Sequence, residues 1–372
     1  MNILILSAST GGGHMRASKA IESYLLQQDK SNNVKIIDSL LYINPIFNKT
    51  VTNGYVYLAT KTPKLYGKLY EYTNKDSKMN NFVSKMNKFF SGRLLPLIEE
   101  YKPDIIISTH PFSTEMVSIL KGKGVVNIPL LCIMTDYAPH KAWIKENVDS
   151  YIVSNDDMVE QMVNEGVERE KIYPFGIPID EVFFKEKDRE QVLVEAELDP
   201  KLPTLLMMAG SFGVSKVFSI YENIIKSDLD FQIILITGKN KKLYEAFKLI
   251  VNESNKRTKL IYFTDEVNKY MQASDIIITK PGGLTVTEAL ACNIPMALFG
   301  AIPGQEEENA EFLIKHNMAI DISNKKDCSN IVNELLINQN KLKSMREACK
   351  SFDKNNSSEN ISLLINKLVK NN

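Results

Sequence analysis

The sequence predicts an α/β protein made of two Rossmann-like halves, and three observations support this. Short apolar, β-branched runs alternate with longer stretches of helical periodicity, the pattern of βαβ units on parallel sheets. A segment broken by proline and glycine, Pro174-Phe175-Gly176-Ile177-Pro178, divides the chain near its middle. At 372 residues the chain is too long for one ordinary core and suits two.

In the first half the expected strands are Ile3–Ala8, Val34–Asp38, Ile105–Thr109, Leu130–Thr135 and Ser150–Val153. In the second they are Thr204–Ala209, Phe231–Thr237, Lys259–Tyr262, Ile276–Thr279 and Pro295–Phe299. A helix from Arg16 to Gln28 follows the first strand, with Ala17, Ala20, Ile21, Tyr24 and Leu25 on one face. The charged stretch Lys185 to Glu197 extends the break, which puts a linker near residues 175–200. The expected domains are 1–180 and 181–354, facing each other across a cleft. The tail, with Ile361, Leu364, Ile365 and Leu368 in helical spacing, gives an amphipathic helix 355–372 that packs back on the first domain.

Composition narrows the partners. Apolar residues make up 44% and charged residues 24%, as in a water-soluble globular protein. Formal net charge is zero, so a nucleic acid held by bulk charge is not expected. Cys132, Cys292, Cys328 and Cys349 are far apart and form no CxxC pair, which fits a reducing compartment and neither a zinc site nor a disulfide framework. The start, Met1-Asn2-Ile3-Leu4-Ile5-Leu6, reads as a buried strand and not as a leader. No apolar run approaches the roughly 20 residues that span a bilayer.

Two glycine-rich turns are the candidate chemistry. The first, Ser9-Thr10-Gly11-Gly12-Gly13-His14, joins a buried strand to a helix start. Its glycines, Gly12 and Gly13 among them, let backbone approach an anion, and helix N-terminal amides favour negative charge. The spacing is not GxGxxG, because Arg16 stands where the third glycine belongs, so a dinucleotide site is a poor fit. A histidine in a first helical turn has its charged form disfavoured by a few tenths to about 1 kcal/mol. His14 is thus expected to be neutral near pH 7, which suits a general base, although a turn-capping histidine without chemistry fits the same position.

The second turn, Lys280-Pro281-Gly282-Gly283-Leu284-Thr285, follows the strand Ile276–Thr279 and offers backbone and hydroxyl donors to a diphosphate. Glu288 lies on the helix face of Thr285, placed to accept from a vicinal diol such as a ribose. A Thr285/Glu288 capping box is the structural alternative. After the next strand, Gln305 and Glu306 stand on a Pro-Gly loop suited to sugar hydroxyls, while Glu307 and Glu308 read as an exposed first helical turn. Further post-strand loops carry Gly210, Ser211 and Phe212, then Gly238, Lys239 and Asn240, then Phe263 and Thr264. Ligands of open α/β sheets bind at that edge.

Taken together, Ser9–His14, Thr135-Asp136-Tyr137 with His140 and Trp143, Gly238-Lys239-Asn240, Lys280–Thr285 with Glu288, and Pro303-Gly304-Gln305-Glu306 resemble one family. It is that of the monogalactosyldiacylglycerol synthases and processive diacylglycerol glucosyltransferases. The resemblance spans nearly the whole chain. It implies the GT-B fold, a UDP-hexose donor, a diacylglycerol acceptor, inversion at the anomeric carbon, and no metal or other cofactor. It also implies UDP on the Pro281–Glu288 turn, Glu288 on the ribose, Gln305 and Glu306 near the hexose, and His14 at the acceptor hydroxyl. Asp136 then either orients His14 or is itself the base. Tyr137, His140 and Trp143 go with the acceptor or membrane side. The D-x-D at Asp228-Leu229-Asp230 precedes a strand and reads as a turn, away from the expected site. A UDP-N-acetylglucosamine 2-epimerase of the same fold and a nucleotide-sugar sensor without turnover are the alternatives.

Residues 49–93 differ from the rest. Lys61, Lys64, Lys68, Lys85 and Lys88, with further basic residues, are interleaved with tyrosines and phenylalanines. Docking on anionic lipid from the cytoplasmic side is the expectation, with RNA binding or a solvated helical insert as other readings.

Overall fold

The computed structural model describes residues 1–9, 12–75, 78–209, 214–324, 327–352 and 354–371, apart from the side chains at 47, 78–83, 214 and 215. Chain order begins with β1 (Asn2–Ser7), α1 (Gly13–Gln28) and β2 (Asn33–Asp38). A run of helices follows: α2 (Ser39–Ile43), α3 (Pro45–Lys61), α4 (Pro63–Thr73), α5 (Lys78–Ser91) and α6 (Leu95–Tyr101). Next come β3 (Ile105–Ser108), α7 (Pro111–Gly122), β4 (Leu130–Ile133), β5 (Ser150–Ile152), α8 (Asp156–Asn164) and β6 (Ile172–Tyr173). The second series is α9 (Arg189–Glu195), β7 (Thr204–Met208), α10 (Val214–Ile224), β8 (Gln232–Ile236), α11 (Lys241–Glu253), β9 (Thr258–Ile261) and α12 (Val267–Ala273). It continues through β10 (Ile276–Thr279), α13 (Gly283–Ala291), β11 (Met296–Leu298), α14 (Gln305–Lys315), β12 (Ala319–Asp321), α15 (Cys328–Ile337) and α16 (Gln339–Ser351), and the chain closes with α17 (Ser357–Lys370).

These elements form two compact units. The first holds Met1–Asp180, Pro303–Gln305 and Lys354–Asn372; the second holds Glu181–Ile302 and Glu306–Asp353. Each contains one six-stranded sheet, ordered β2-β1-β3-β4-β5-β6 and β12-β11-β10-β7-β8-β9. The strand pairs are parallel, β1 in register with β3 from Ile3↔Ile105 and β7 with β10 from Leu205↔Ile276. Strand order reverses between β1 and β3 in one sheet and between β7 and β10 in the other. Ligands of open α/β sheets bind at such switch points.

The strands are continuous apolar runs because both sheet faces are covered. In β1, Ile3 and Ile5 point to a cluster with Ile21 and Leu25 of α1, while Leu4 and Leu6 meet Leu97, Ile98 and Val117 on the other face. The first cluster is completed by α17, whose Ile361, Leu364 and Ile365 are buried against it. In the second unit, Leu205, Met207, Ile233, Leu235 and Ile278 pack with Val217, Phe247, Val332 and Met345.

The local differences from the sequence reading have simple causes. α1 begins at Gly13, three residues earlier than expected, since Gly12 at φ 79° supplies the left-handed turn into it. The strands β6 and β12, two and three residues long, carry too little pattern to be seen. The charged stretch after residue 185 is not all linker: α9 forms there, its Asp188 cap accepting from Glu190 and Gln191, with Val192 and Leu193 buried.

Because α17 is bound by its apolar stripe, Ile365→Ala should lower the stability of the first unit by about 2–5 kcal/mol in urea unfolding. Leu363→Ala, at a side chain 62% exposed, should change it by less than about 0.5 kcal/mol. Equal effects would show that α17 is not packed this way.

Candidate active site

In the first unit the switch point is built from hydroxyls. Thr109, just past β3, donates from Oγ1 to Ser7 Oγ at the end of β1, 2.9 Å away. Its Oγ1 also lies 3.0 Å from Ser18 Oγ of α1, and that hydroxyl donates to the His14 carbonyl at 3.0 Å. Ser7, Ser18 and Thr109 are fully buried, and each meets a partner, as a buried hydroxyl requires. Asp38 completes the frame: one carboxylate oxygen accepts from Ser9 N at 3.0 Å and the other from Leu41 N at 3.0 Å, so one side chain ties the glycine-rich turn to the start of α2.

His14 is the second residue of α1, after the cap Gly12 and Gly13. Among the described residues a Cβ on Gly12 would meet nothing within 4 Å. The imidazole Nδ1 is 3.0 Å from Thr135 Oγ1. The ring also meets His110 edge-on at 4.8 Å between centroids and Trp143 at 6.0 Å. His14 is half-buried, yet its ring is enclosed enough for burial to push its pKa from 6.5 down to about 4. A hydrogen bond to the Thr109 backbone acts the other way and is outweighed. The imidazole is therefore a neutral, proton-accepting group at pH 7. Asp136 follows Thr135 and is half-buried. The loop it occupies is tied down where Asn155 Nδ2 donates to the Tyr137 carbonyl at 3.1 Å.

Sequence reasoning missed His110. It caps α7 through Nδ1, which accepts from Phe112 N at 3.3 Å, so its neutral form carries the proton on Nε2. Burial, reinforced by His14, holds its pKa well below 6.5. The available signal was a histidine at the end of a strand that neighbours β1.

The aromatic residues after Asp136 need correction. Tyr137 and Trp143 are 2% and 5% exposed, Trp143 within the apolar core, so neither side chain belongs to a lipid-facing surface. His140 is buried too, and both nitrogens are engaged: Nδ1 accepts from Ala142 N at 3.0 Å and Nε2 donates to the Tyr70 carbonyl at 3.2 Å. Burial is the main cause that lowers its pKa. It fastens the loop to α4.

In the second unit the turn after β10 leads into α13. Gly282 caps α13, Gly283 opens it, and among the described residues a Cβ on Gly282 would touch nothing within 4 Å. Asn309 Nδ2 donates to the Pro281 carbonyl at 3.0 Å and holds the turn in place. The amides of Gly283, Leu284 and Thr285 begin the helix, where partial positive charge collects. Thr285 is the third helical residue and makes no cap, so the capping-box alternative does not hold. Glu288, deeper in α13, is 2% exposed. Glu306 pairs with Lys280 at 3.2 Å and accepts from Ile302 N at 2.7 Å, so it shapes the 300–304 loop. Gln305 opens α14 and is half-buried.

On the neighbouring strands, Asn240 Oδ1 accepts from Leu243 N at 3.1 Å and caps α11, a structural task. Gly238 takes φ 64°. Lys239 Nζ sits 4.6 Å from the centroid of the Phe263 ring, and Thr264 Oγ1 accepts from Glu266 N at 3.0 Å. Gly210, Ser211 and Phe212 lie outside the described residues. A separate cavity of about 480 Å³ beside α14 is lined by Lys216, Phe299, Gly300, Glu307, Glu311 and Asp321, none of them a residue expected from the sequence. No group of three or more His, Cys, Asp or Glu side chains is arranged to hold a metal ion among the described residues.

The helical insert of the first unit carries a distinct surface. Lys61, Lys64 and Lys68 are exposed along one side of α4 and its approach, and Lys85 and Lys88 are exposed on α5. Ile46, Tyr57, Leu65, Tyr72 and Phe89 are exposed on the same group of helices. Asn87 Nδ2 donates to buried Glu115 at 2.8 Å, which fixes α5 on α7. Among the described residues no helix is long and apolar enough to cross a membrane.

Comparison with known proteins agrees along the chain. Residues 14–179 match the family model for monogalactosyldiacylglycerol synthase, and residues 204–364 match that for the glycosyltransferase family 28 C-terminal domain. The processive diacylglycerol beta-glucosyltransferase of Staphylococcus epidermidis is 32% identical over 347 residues, covering 92% of this chain and 86% of its own. The Bacillus subtilis protein of the same name is 32% identical over 364 residues, covering 96% and 92%. The crystal structure of Acinetobacter baumannii MurG shares the fold at a TM-score of 0.65 and 15% identity, covering 98% of this chain and 99% of its own.

Three buried or half-buried histidines with lowered pKa set an acid limit on stability. For each, the folded pKa lies below the unfolded 6.5, so the stabilisation is complete above 6.5 and is lost as pH falls through the folded pKa, which for His14 is about 4. Urea unfolding across this range should show stability falling with proton uptake, and His14→Phe should flatten the slope. A slope unchanged by that substitution would mean that His14 titrates normally.

Proposed function

The chain belongs to the diacylglycerol glycosyltransferase family that joins a monogalactosyldiacylglycerol synthase domain to a glycosyltransferase family 28 C-terminal domain in a GT-B fold, and we propose that it transfers glucose from UDP-glucose to diacylglycerol. The observation that carries this reading is the near full-length identity to diacylglycerol glucosyltransferases. The choice of glucose over galactose rests on the names of those relatives.

The residues support a single displacement. His14, neutral at pH 7, takes the proton of the acceptor hydroxyl at an imidazole nitrogen. The oxygen's electron pair forms the new bond to the anomeric carbon, and the bond from that carbon to the diphosphate oxygen breaks. UDP leaves with that electron pair, and an α-linked donor gives a β-glucoside. Asp136 orients His14 or shares its task. The leaving charge meets the amides at the start of α13 and the ammonium of Lys239, with no metal in the scheme. Glu288 takes the ribose hydroxyls, while Gln305, with the loop braced by Glu306, meets the sugar.

The acceptor is a membrane lipid, and the reading includes peripheral attachment at the inner face of the cell membrane. The exposed lysines of α4 and α5 favour anionic lipid by about 1 kcal/mol each near the surface, and Ile46 and Phe89 offer apolar contacts. The four cysteines are buried and none is in a disulfide, which suits a reducing compartment.

The test is release of UDP from UDP-glucose and UDP-galactose, with and without diacylglycerol in anionic vesicles. Release from UDP-glucose that requires diacylglycerol is expected; release without it would favour an epimerase or hydrolase. His14→Ala should lower kcat by about 10²- to 10⁴-fold with UDP affinity unchanged, and retained turnover would remove His14 from the base role. Exchanging Lys61, Lys64, Lys68, Lys85 and Lys88 for glutamate should release the protein from anionic vesicles in a flotation assay. Undiminished flotation would move the docking surface elsewhere.

A further inference from the structure

Lys239 occupies a position that the transfer reaction alone does not explain. Its ammonium lies over the face of Phe263, 4.6 Å from the ring centroid, and that ring is 43% exposed. A partly exposed aromatic ring at the carboxyl edge of a parallel sheet can serve as a stacking platform for a planar base. In the free protein the lysine covers it.

Sheet order gives the lysine two possible destinations. Phe263 follows β9, Lys239 follows β8, and the Gly282 turn follows β10, with β7 between β8 and β10. At about 4.8 Å per strand, β9 and β10 stand roughly 14 Å apart, with Lys239 between them. A nucleoside diphosphate laid along this edge, diphosphate at the α13 N-terminus and base at Phe263, passes over Lys239. The backbone there is held on both sides: Gly238 takes its left-handed conformation and Asn240 caps α11. Motion is thus left to the flexible side chain. Lys280, which precedes the Gly282 turn, is paired with Glu306 at 3.2 Å, and both of those side chains are nearly closed to solvent.

We propose that Lys239 is a two-position residue of the donor site. Without ligand it covers Phe263; when a uridine diphosphate binds, the base takes the ring face and the ammonium turns to the diphosphate. The proposal rests on the donor reading above and adds a specificity device to it. A nucleoside without phosphate displaces the lysine and gives it no new partner. A nucleoside diphosphate displaces it and supplies one. The site therefore selects for base and diphosphate together.

The test compares uridine and UDP on the full-length chain, by ligand-observed NMR and calorimetry. Lys239→Met should bind uridine about 2- to 5-fold more tightly, since the cation no longer competes for the ring. The same variant should bind UDP about 10-fold more weakly, having lost a charged partner of the diphosphate. Lys239→Arg should restore the preference for UDP, and Phe263→Leu should weaken both ligands. Changes in the same direction for both ligands in Lys239→Met, or no change in either, would overturn the two-position assignment. Wild-type protein that fails to bind UDP would overturn the donor reading along with it. Wild-type binding combined with parallel changes in the variant would remove the switch alone.

Discussion

The proton-accepting state of His14 depends on where the chain places it. Parallel strands deliver all their carboxyl ends to one edge, and the reversal of order between β1 and β3 opens that edge beside the first helix. There the hydroxyls of Ser7, Thr109 and Ser18 hold the start of α1, and Thr135 reaches the imidazole from the loop after β4. A helix N-terminus by itself is worth about 0.3–1 kcal/mol, and up to about 2 kcal/mol when partly buried, or about one and a half pH units at most, against a charged histidine. The shift from 6.5 to about 4 is larger, and burial beside His110 and Trp143 is its main source. The neutral imidazole is therefore made by the packing of separate segments around one ring.

The second unit applies the same topological rule to a different task. Its switch point presents helix amides after Gly282, the chemistry suited to an anion. An acidic side chain nearby is used to build the frame. Glu306 spends its carboxylate on Lys280 and Ile302 N, which fixes the loop that leads into α14. Removing a carboxylate from such a pair leaves a nearly enclosed ammonium without its partner, so an effect on donor binding would pass through the loop's shape.

Much of this was legible in the sequence, for physical reasons that also explain the gaps. β1, β3 and β10 are apolar runs bounded by turns, because both faces of a parallel sheet are covered, and such runs stand out. β6 and β12 are too short to show a period. The first glycine turn was visible because glycine suits φ 79° at residue 12, and the second because Gly282 and Gly283 stand at the junction of a strand and a helix. The membrane half of the reading of Tyr137 and Trp143 failed because an aromatic side chain suits a core and a lipid surface equally well by type alone; only the packing decides. His110 was missed because its importance is a contact with His14, 96 positions away in sequence, and no local pattern marks it.

The account turns on a neutral His14, and proton NMR of the imidazole C2–H signals tests it directly. The chain has four histidines, and a His14→Gln variant assigns the relevant signal. With pH varied in the folded enzyme, the account predicts that His14 titrates near 4, far from the ordinary 6.5. A His14 signal that titrates close to 6.5 would show that the ring is solvated, and the packing proposed to make it a base would be wrong.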